Sequence, residues 1–104
     1  MNKYNRAIIN KTVRDYTPML QPLLPSHPSH PGGRIAYAHM YDVMKSVFGC
    51  PIEQVRDCRL QDALDILKFC MDNATMMQIS SQLYDKYPRE PEPTKHMTLD
   101  DFFE

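Results

Sequence analysis

Residues 37–73 read YAHMYDVMKSVFGCPIEQVRDCRLQDALDILKFCMDN, and this stretch decides the fold. Its first part carries Tyr37, Met40, Tyr41, Met44, Val47 and Phe48 at intervals of three, one, three, three and one. That spacing predicts an amphipathic helix from about Arg34 to Phe48 with a wide apolar face. His39, Asp42, Lys45 and Ser46 fall on the opposite side. Gly49 stands where a left-handed C-terminal cap is wanted, and Pro51 follows two residues later. The loop 50–55 has two apolar pins, Ile52 and Val55. A second helix then opens near Arg56 to Arg59, with Asp57 as a candidate N-cap but Leu60 three residues on, so without a capping box. Leu60, Ala63, Leu64, Leu67 and Met71 form its apolar stripe, widened by Ile66 and Cys70. Asp62 and Asp65 point outward, and Lys68 is spaced to pair with Asp65.

Working outward toward the N-terminus, residues 1–16 form a basic helix. Ile8, Ile9, Val13 and Tyr16, with Tyr4 one turn earlier, keep three-four spacing. Lys3, Arg6, Lys11 and Arg14 face only Asp15 in charge. The helix either touches phosphates or a partner helix through these cations, or simply covers the core. Thr17-Pro18 is expected to end it, because the residue before proline is pushed out of the α region. Residues 17–33 hold five of the nine prolines and read as an extended proline-rich connector closed by Gly32-Gly33. Met19, Leu20, Leu23 and Leu24 are too apolar for a free linker and are expected to pack. His27 and His30 are either metal- or pH-responsive or ordinary exposed loop residues; neither has an evident orienting partner.

Toward the C-terminus, Met76, Ile79, Leu83 and Tyr84 predict a last helix over 74–86, ended by Tyr87-Pro88. The chain has eight methionines, which serve as adaptable binding surface or as gap-filling core. Residues 34–87 thus make a helical core domain. Residues 88–104 read as a flexible acidic-aromatic tail. It closes on Leu99, Asp100, Asp101, Phe102 and Phe103, apolar and acidic side chains that either fold back or dock on a partner. The fold class expected is all-α: a small bundle of about four helices with a proline-rich connector and a disordered acidic tail.

The chain has 104 residues, enough for one domain, and a formal net charge of −1 from twelve Lys and Arg against thirteen Asp and Glu. That balance is not the strongly basic body of a dedicated nucleic-acid binder. A packed part of this size is marginal on surface-to-volume grounds, which favours a partner or a homodimer. No apolar run approaches the ~20 residues that span a bilayer, and residues 1–16 lack the pattern of a signal peptide, so a cytoplasmic location and no membrane are expected. Three cysteines without a CxxC pair read as free thiols rather than a disulfide framework. The His27–His30 and Cys50–Cys58 spacings do not make a zinc set, so no metal and no cofactor are assigned. No nucleophile elbow, HExxH, P-loop or dinucleotide fingerprint is present, and no enzyme is expected.

From Phe48 the chain reads FGCPIEQVRDCRLQDALDIL. This resembles the small C-terminal domain that phage antirepressor and Rha-type regulatory proteins carry behind Kil-A-type or BRO-type domains. Phe48-Gly49 falls on that family's F-G and Val55 on its isoleucine. Leu60, Gln61, Asp62, Ala63 and Leu64 fall on its Q-F-E-E-A-L-like run, and Tyr37, Tyr41 and Lys45 fall on its tyrosine-rich helix. Arg56 stands where the family has proline, Cys50 where it has valine, and Pro51-Ile52 where it has serine and tyrosine. The resemblance implies phage or prophage origin, gene regulation, and binding of DNA or a repressor; it carries no catalytic residue. Two readings follow. In the first, the protein binds and modulates a protein partner, a repressor or a host nuclease, replication or recombination factor. In the alternative, a helix-turn-helix-like unit binds DNA, with Lys3, Arg6, Lys11, Arg14, Arg34, Lys45, Arg56 and Arg59 on phosphates.

Overall fold

The computed structural model describes residues 1–24, 35–75 and 79–91. Among them the fold is all-helical, without strands. Three α-helices, α1 (Lys3–Leu20), α2 (Ala36–Phe48) and α3 (Leu60–Asp72), each pack on the other two. Short 3-10 turns at Gln21–Leu23, Ile52–Gln54, Asp57–Arg59 and Ile79–Gln82 serve the connections. No helix among the described residues is long and apolar enough to cross a membrane.

Helix α1 starts at an Asn2 cap whose side chain accepts from the Asn5 amide at 2.8 Å, satisfying one of the helix's orphan donors. Its end corrects the sequence expectation. The helix runs through Pro18 to Leu20. Pro18 removes one main-chain hydrogen bond, but only in the last turn, and the Thr17 hydroxyl donates to the Val13 carbonyl at 2.7 Å. Leu20 is wholly buried by continuing the helix, which offsets the proline's cost. The next apolar residues divide: Leu24 is buried, while Met19 and Leu23 are about half exposed. The remainder of the proline-rich connector, with His27 and His30, lies outside the described residues.

Helix α2 opens without a side-chain cap of its own; the Ala36 amide donates instead to Gln21 Oε1 at 2.8 Å. Its buried face is Ala36, His39, Met40, Val43, Met44, Val47 and Phe48. His39, expected to face solvent, is inside, and Tyr37, expected inside, is outside. Met40, Met44, Val47 and Phe48 are buried as the spacing predicts, and Tyr41 packs at the margin; Ala36, His39 and Val43 join them, so the face extends to the side away from Tyr37. Gly49 ends α2 with φ +82°, and its amide bonds to the Lys45 carbonyl at 2.8 Å. This is the left-handed cap that glycine adopts without a Cβ penalty.

Ile52 and Val55 are buried as pins of the loop. The loop carbonyls of Glu53 and Val55 accept from the Met1 amino group. Asp57 is not an N-cap. Its carboxylate accepts from the Asn2 amide and its carbonyl from Asn5 Nδ2, so it ties the loop to the start of α1. A 3-10 turn occupies the expected cap position and α3 follows at Leu60. Ala63, Ile66, Leu67 and Cys70 face the core, with Leu60, Leu64 and Met71 at its margin. Lys68 pairs with Asp72 at 3.4 Å rather than with Asp65, whose carboxylate takes Gln61 and the Tyr87 hydroxyl.

The predicted fourth helix is not an α-helix among the described residues. Ile79–Gln82 is a single 3-10 turn, followed by turns to Tyr87. Ser80 and Ser81 are weak helix formers. Ile79, Leu83 and Tyr87 are buried, and the Ser46 hydroxyl meets Ser80 at 3.3 Å and Tyr84 at 3.0 Å, so this segment seals α2 as an irregular strap.

Candidate functional site

Two groups of cationic side chains survive into the folded chain. The first follows from the period of α1. Lys3, Arg6, Asn10 and Arg14 are spaced three, four and four, and so share one stripe of that helix. Tyr37 and Tyr41 are four apart on α2, with ring centroids 5.2 Å apart and planes tilted by 49°. Asn10 joins the two helices: its Oδ1 accepts from the Tyr37 hydroxyl at 3.0 Å and from the Tyr41 hydroxyl at 3.1 Å. Around this junction lies an open groove of about 760 Å³. Its α1 wall holds Lys3, Arg6 and Ala7; its α2 wall holds Tyr37, Ala38, Tyr41 and Asp42; the loop adds Ile52 and Glu53.

The groove's electrostatics are mixed. Lys3 and Arg6 stand on one wall and Asp42 and Glu53 on the other. Burial, the neighbouring Tyr37 hydroxyl and the Glu53 charge push the Tyr41 phenol up to about 12, against the opposing Arg14 charge. Tyr41 is therefore a neutral donor throughout the physiological range. Tyr37 is 42% exposed while its hydroxyl is held, which makes it a pre-positioned aromatic surface.

The second group is closed. Arg59 is 5% exposed. Its Nε donates to Asp62 Oδ2 at 3.0 Å, and its Nη1 donates to the Pro88 carbonyl and to Glu90 Oε2 at 2.9 Å. Its guanidinium carbon lies 4.6 Å from the centre of the Phe48 ring, a cation–π contact. Arg56 meets the same carboxylate, with Nε at 3.0 Å from Oε1 and Nη2 at 3.1 Å from Oε2, and its own amide adds a third donor at 3.1 Å. The Glu90 amide donates back to the Phe48 carbonyl at 2.8 Å. Burial pushes the Glu90 carboxyl up, but hydrogen bonds from Arg56 and Arg59 outweigh it and hold the group down at about 2.

The eight nominated cations therefore separate. Lys3 and Arg6 line the groove, and Arg14 continues their stripe. Lys11 is on another side of α1, paired with Asp15 at 2.8 Å. Lys45 is exposed on α2, one turn beyond Tyr41. Arg56 and Arg59 are engaged with Glu90, and the burial of Arg59 removes it from any phosphate surface; its expected place on an exposed polar face is corrected. Arg34 and the nominated partner-binding residues Leu99, Asp100, Asp101, Phe102 and Phe103 lie outside the described residues. The segment expected to be flexible from Pro88 onward is bound at Glu90. Sequence reasoning missed Asn10, Tyr37 as a surface residue, Asp42, Glu53 and Glu90. The pair Tyr37–Tyr41 was visible as an i, i+4 repeat; Glu90, inside PREPEP, gave no signal. In comparisons with family models, with curated proteins and with solved structures, nothing matches the chain.

Proposed function

We propose that the chain is a small regulatory binding protein, of the phage or prophage type that its central stretch resembles, and that it holds a protein partner in the groove between α1 and α2. The partner is a repressor or a host nuclease, replication or recombination factor. The observation carrying this reading is Tyr37, an exposed ring with a pinned hydroxyl on the acidic wall of a groove whose other wall is cationic. Held aromatics of this kind act as interface anchors because little rotamer entropy is lost on contact. Asp42 and Glu53 suit a peptide of mixed charge better than a polyanion. The reading assigns no reaction. The acidic-aromatic segment Leu99–Phe103 is a second proposed contact.

The test is affinity capture from host or infected cells with the unchanged chain, Tyr37→Ala and a chain lacking residues 96–104, followed by mass spectrometry. A protein captured by the unchanged chain and lost with Tyr37→Ala, at equal circular-dichroism helicity, supports the groove. A capture unaffected by Tyr37→Ala rejects it. The DNA reading keeps one specific observation, the shared stripe of Lys3, Arg6 and Arg14. Duplex and single-stranded oligonucleotides titrated at rising salt would show a steep loss of affinity if it holds, weakened further by Arg6→Ala.

A further inference from the structure

Glu90 and the groups around it have the form of a ligand in a receptor. The carboxylate is 4% exposed and takes two guanidinium groups and one main-chain amide. The Glu90 amide pairs with the Phe48 carbonyl, and the carbonyl two residues earlier, of Pro88, accepts from Arg59. Arg59 Nη2 is buried and has no hydrogen-bond partner among the described residues, so the site has an unused donor. Every one of these contacts uses either a main-chain group or the carboxylate itself. None requires that the glutamate be joined to this chain. Pro88 and Pro91 bracket the segment and favour an extended backbone, which lowers the entropy lost on docking.

We infer that the cleft formed by Phe48, Gly49, Arg56 and Arg59 is a receptor for an extended, glutamate-bearing peptide of a protein partner, and that residues 88–91 occupy it as an internal competitor. The site is separate from the α1–α2 groove and does not depend on that groove's having a partner. A bidentate Arg56 and a single-point contact from Arg59, itself over the Phe48 ring, recognise a carboxylate by shape and charge. The tethered strap acts at an effective concentration on the order of millimolar, so an outside peptide binds weakly until the strap is displaced or disarmed.

The test uses the full chain, unchanged and as Glu90→Ala, with a labelled peptide of the sequence YPREPEP and its Glu90→Gln counterpart. The glutamate peptide is expected to bind the Glu90→Ala chain about tenfold or more tightly than the unchanged chain, and the Gln peptide to bind neither. The inference is overturned if the Glu90→Ala chain binds neither peptide, or binds both equally, or if the unchanged chain binds the glutamate peptide just as tightly. Should Glu90→Ala fail to fold, the arginine Nε–H resonances of the unchanged chain give the answer. Saturable shifts of Arg56 and Arg59 with millimolar glutamate peptide, absent with the Gln peptide, support the site. Shifts absent with both overturn it.

Discussion

Arg59 and Arg6 carry the same guanidinium and meet different fates. Arg59 lies beneath the strap, bonded to Asp62, Glu90 and the Pro88 carbonyl and stacked on Phe48. Arg6 lines an open groove. The first is part of what holds the fold; the second is exposed and forms no ion pair among the described residues. What separates them is the geometry of the nearest acid. Glu90 comes back to Arg56 and Arg59 at hydrogen-bond range, whereas Asp42 and Glu53 line the far side of the groove from Arg6 and show no ion pair with it among the described residues. Cations of one sequence type therefore divide between an engaged, buried set and an open one, and the two regions should respond differently to mutation.

The largest expected effect belongs to the closed region. Arg59→Met keeps an unbranched apolar chain but removes the guanidinium and its contact with Phe48, leaving the Pro88 carbonyl unpaired and Glu90 with Arg56 alone. Breaking one partner of a buried ion pair costs about 3 kcal/mol. A urea titration should show the midpoint falling with the slope unchanged. A variant as stable as the unchanged chain would mean that the cleft contributes nothing to the fold, and the contrast with Arg6 would collapse.

Acid probes the same region from the other partner. The Glu90 carboxyl is held at about 2, below its ordinary value near 4.5. A depressed carboxyl stabilises the folded chain fully above its unfolded pKa, and that stability is lost as pH falls through the folded value. The loss should therefore run from about pH 5 down to about pH 2 and amount to about 3 kcal/mol, from the ~1.4 kcal/mol per pKa unit. Glu90→Gln cannot titrate, so the difference in stability between it and the unchanged chain should shrink across that window. A difference that stays constant with pH would show that the carboxylate's charge is irrelevant.

Gly49, the left-handed end of α2 beside Arg89, gives a smaller effect. Its φ of +82° is unfavourable for any residue with a Cβ, and a Cβ there would approach the Arg89 guanidinium at 2.6 Å. The arginine tip can move aside, so the backbone strain dominates. Gly49→Ala should cost about 1 kcal/mol in the same urea titration. An Arg89→Ala, Gly49→Ala double variant should recover only the part due to the clash. Full recovery would place the cost in Arg89 rather than in the cap.

How far these regions were legible in the sequence depends on the range of the interactions. Gly49-Pro51 and the three-four spacing of α2 and α3 are local signals, and they located both helices. The facing of α2 was legible at Met40, Met44, Val47 and Phe48 and missed at Tyr37 and His39, because those two suit either side of a helix boundary. The Asn10 contact that holds the hydroxyl of the exposed Tyr37 is 27 residues away, beyond any local pattern. Pro18 is a strong local stop that the burial of Leu20 overrode. The apolar spacing of 74–86 suggested a helix, yet Ile79–Gln82 is a 3-10 turn, and Ser80 and Tyr84 meet α2 at Ser46. Glu90 is the clearest failure. Prolines and charges around it read as tail, and its partners stand 31 and 34 residues earlier, beyond any periodic pattern. The candidate groove was half legible: its cations were, its aromatic and acidic members were not.

The smallest expected effect on stability carries the most information about function. Arg6→Ala changes an exposed side chain on the groove wall, and Lys3→Ala another; neither takes part in an ion pair among the described residues. Surface changes that leave the cap side chain, the core and the buried pairs intact move stability little. The urea midpoint of the double variant should match that of the unchanged chain, while capture of the groove's protein partner weakens. The salt dependence of that loss then distinguishes partners. Side-chain pairing with a protein of mixed charge gives a shallow dependence, because few counterions are released. Phosphate contacts give a steep one, and removing two cations should reduce its logarithmic slope by about two on duplex DNA. A double variant that unfolds early would instead place Lys3 and Arg6 with Arg59, as cations the fold itself consumes.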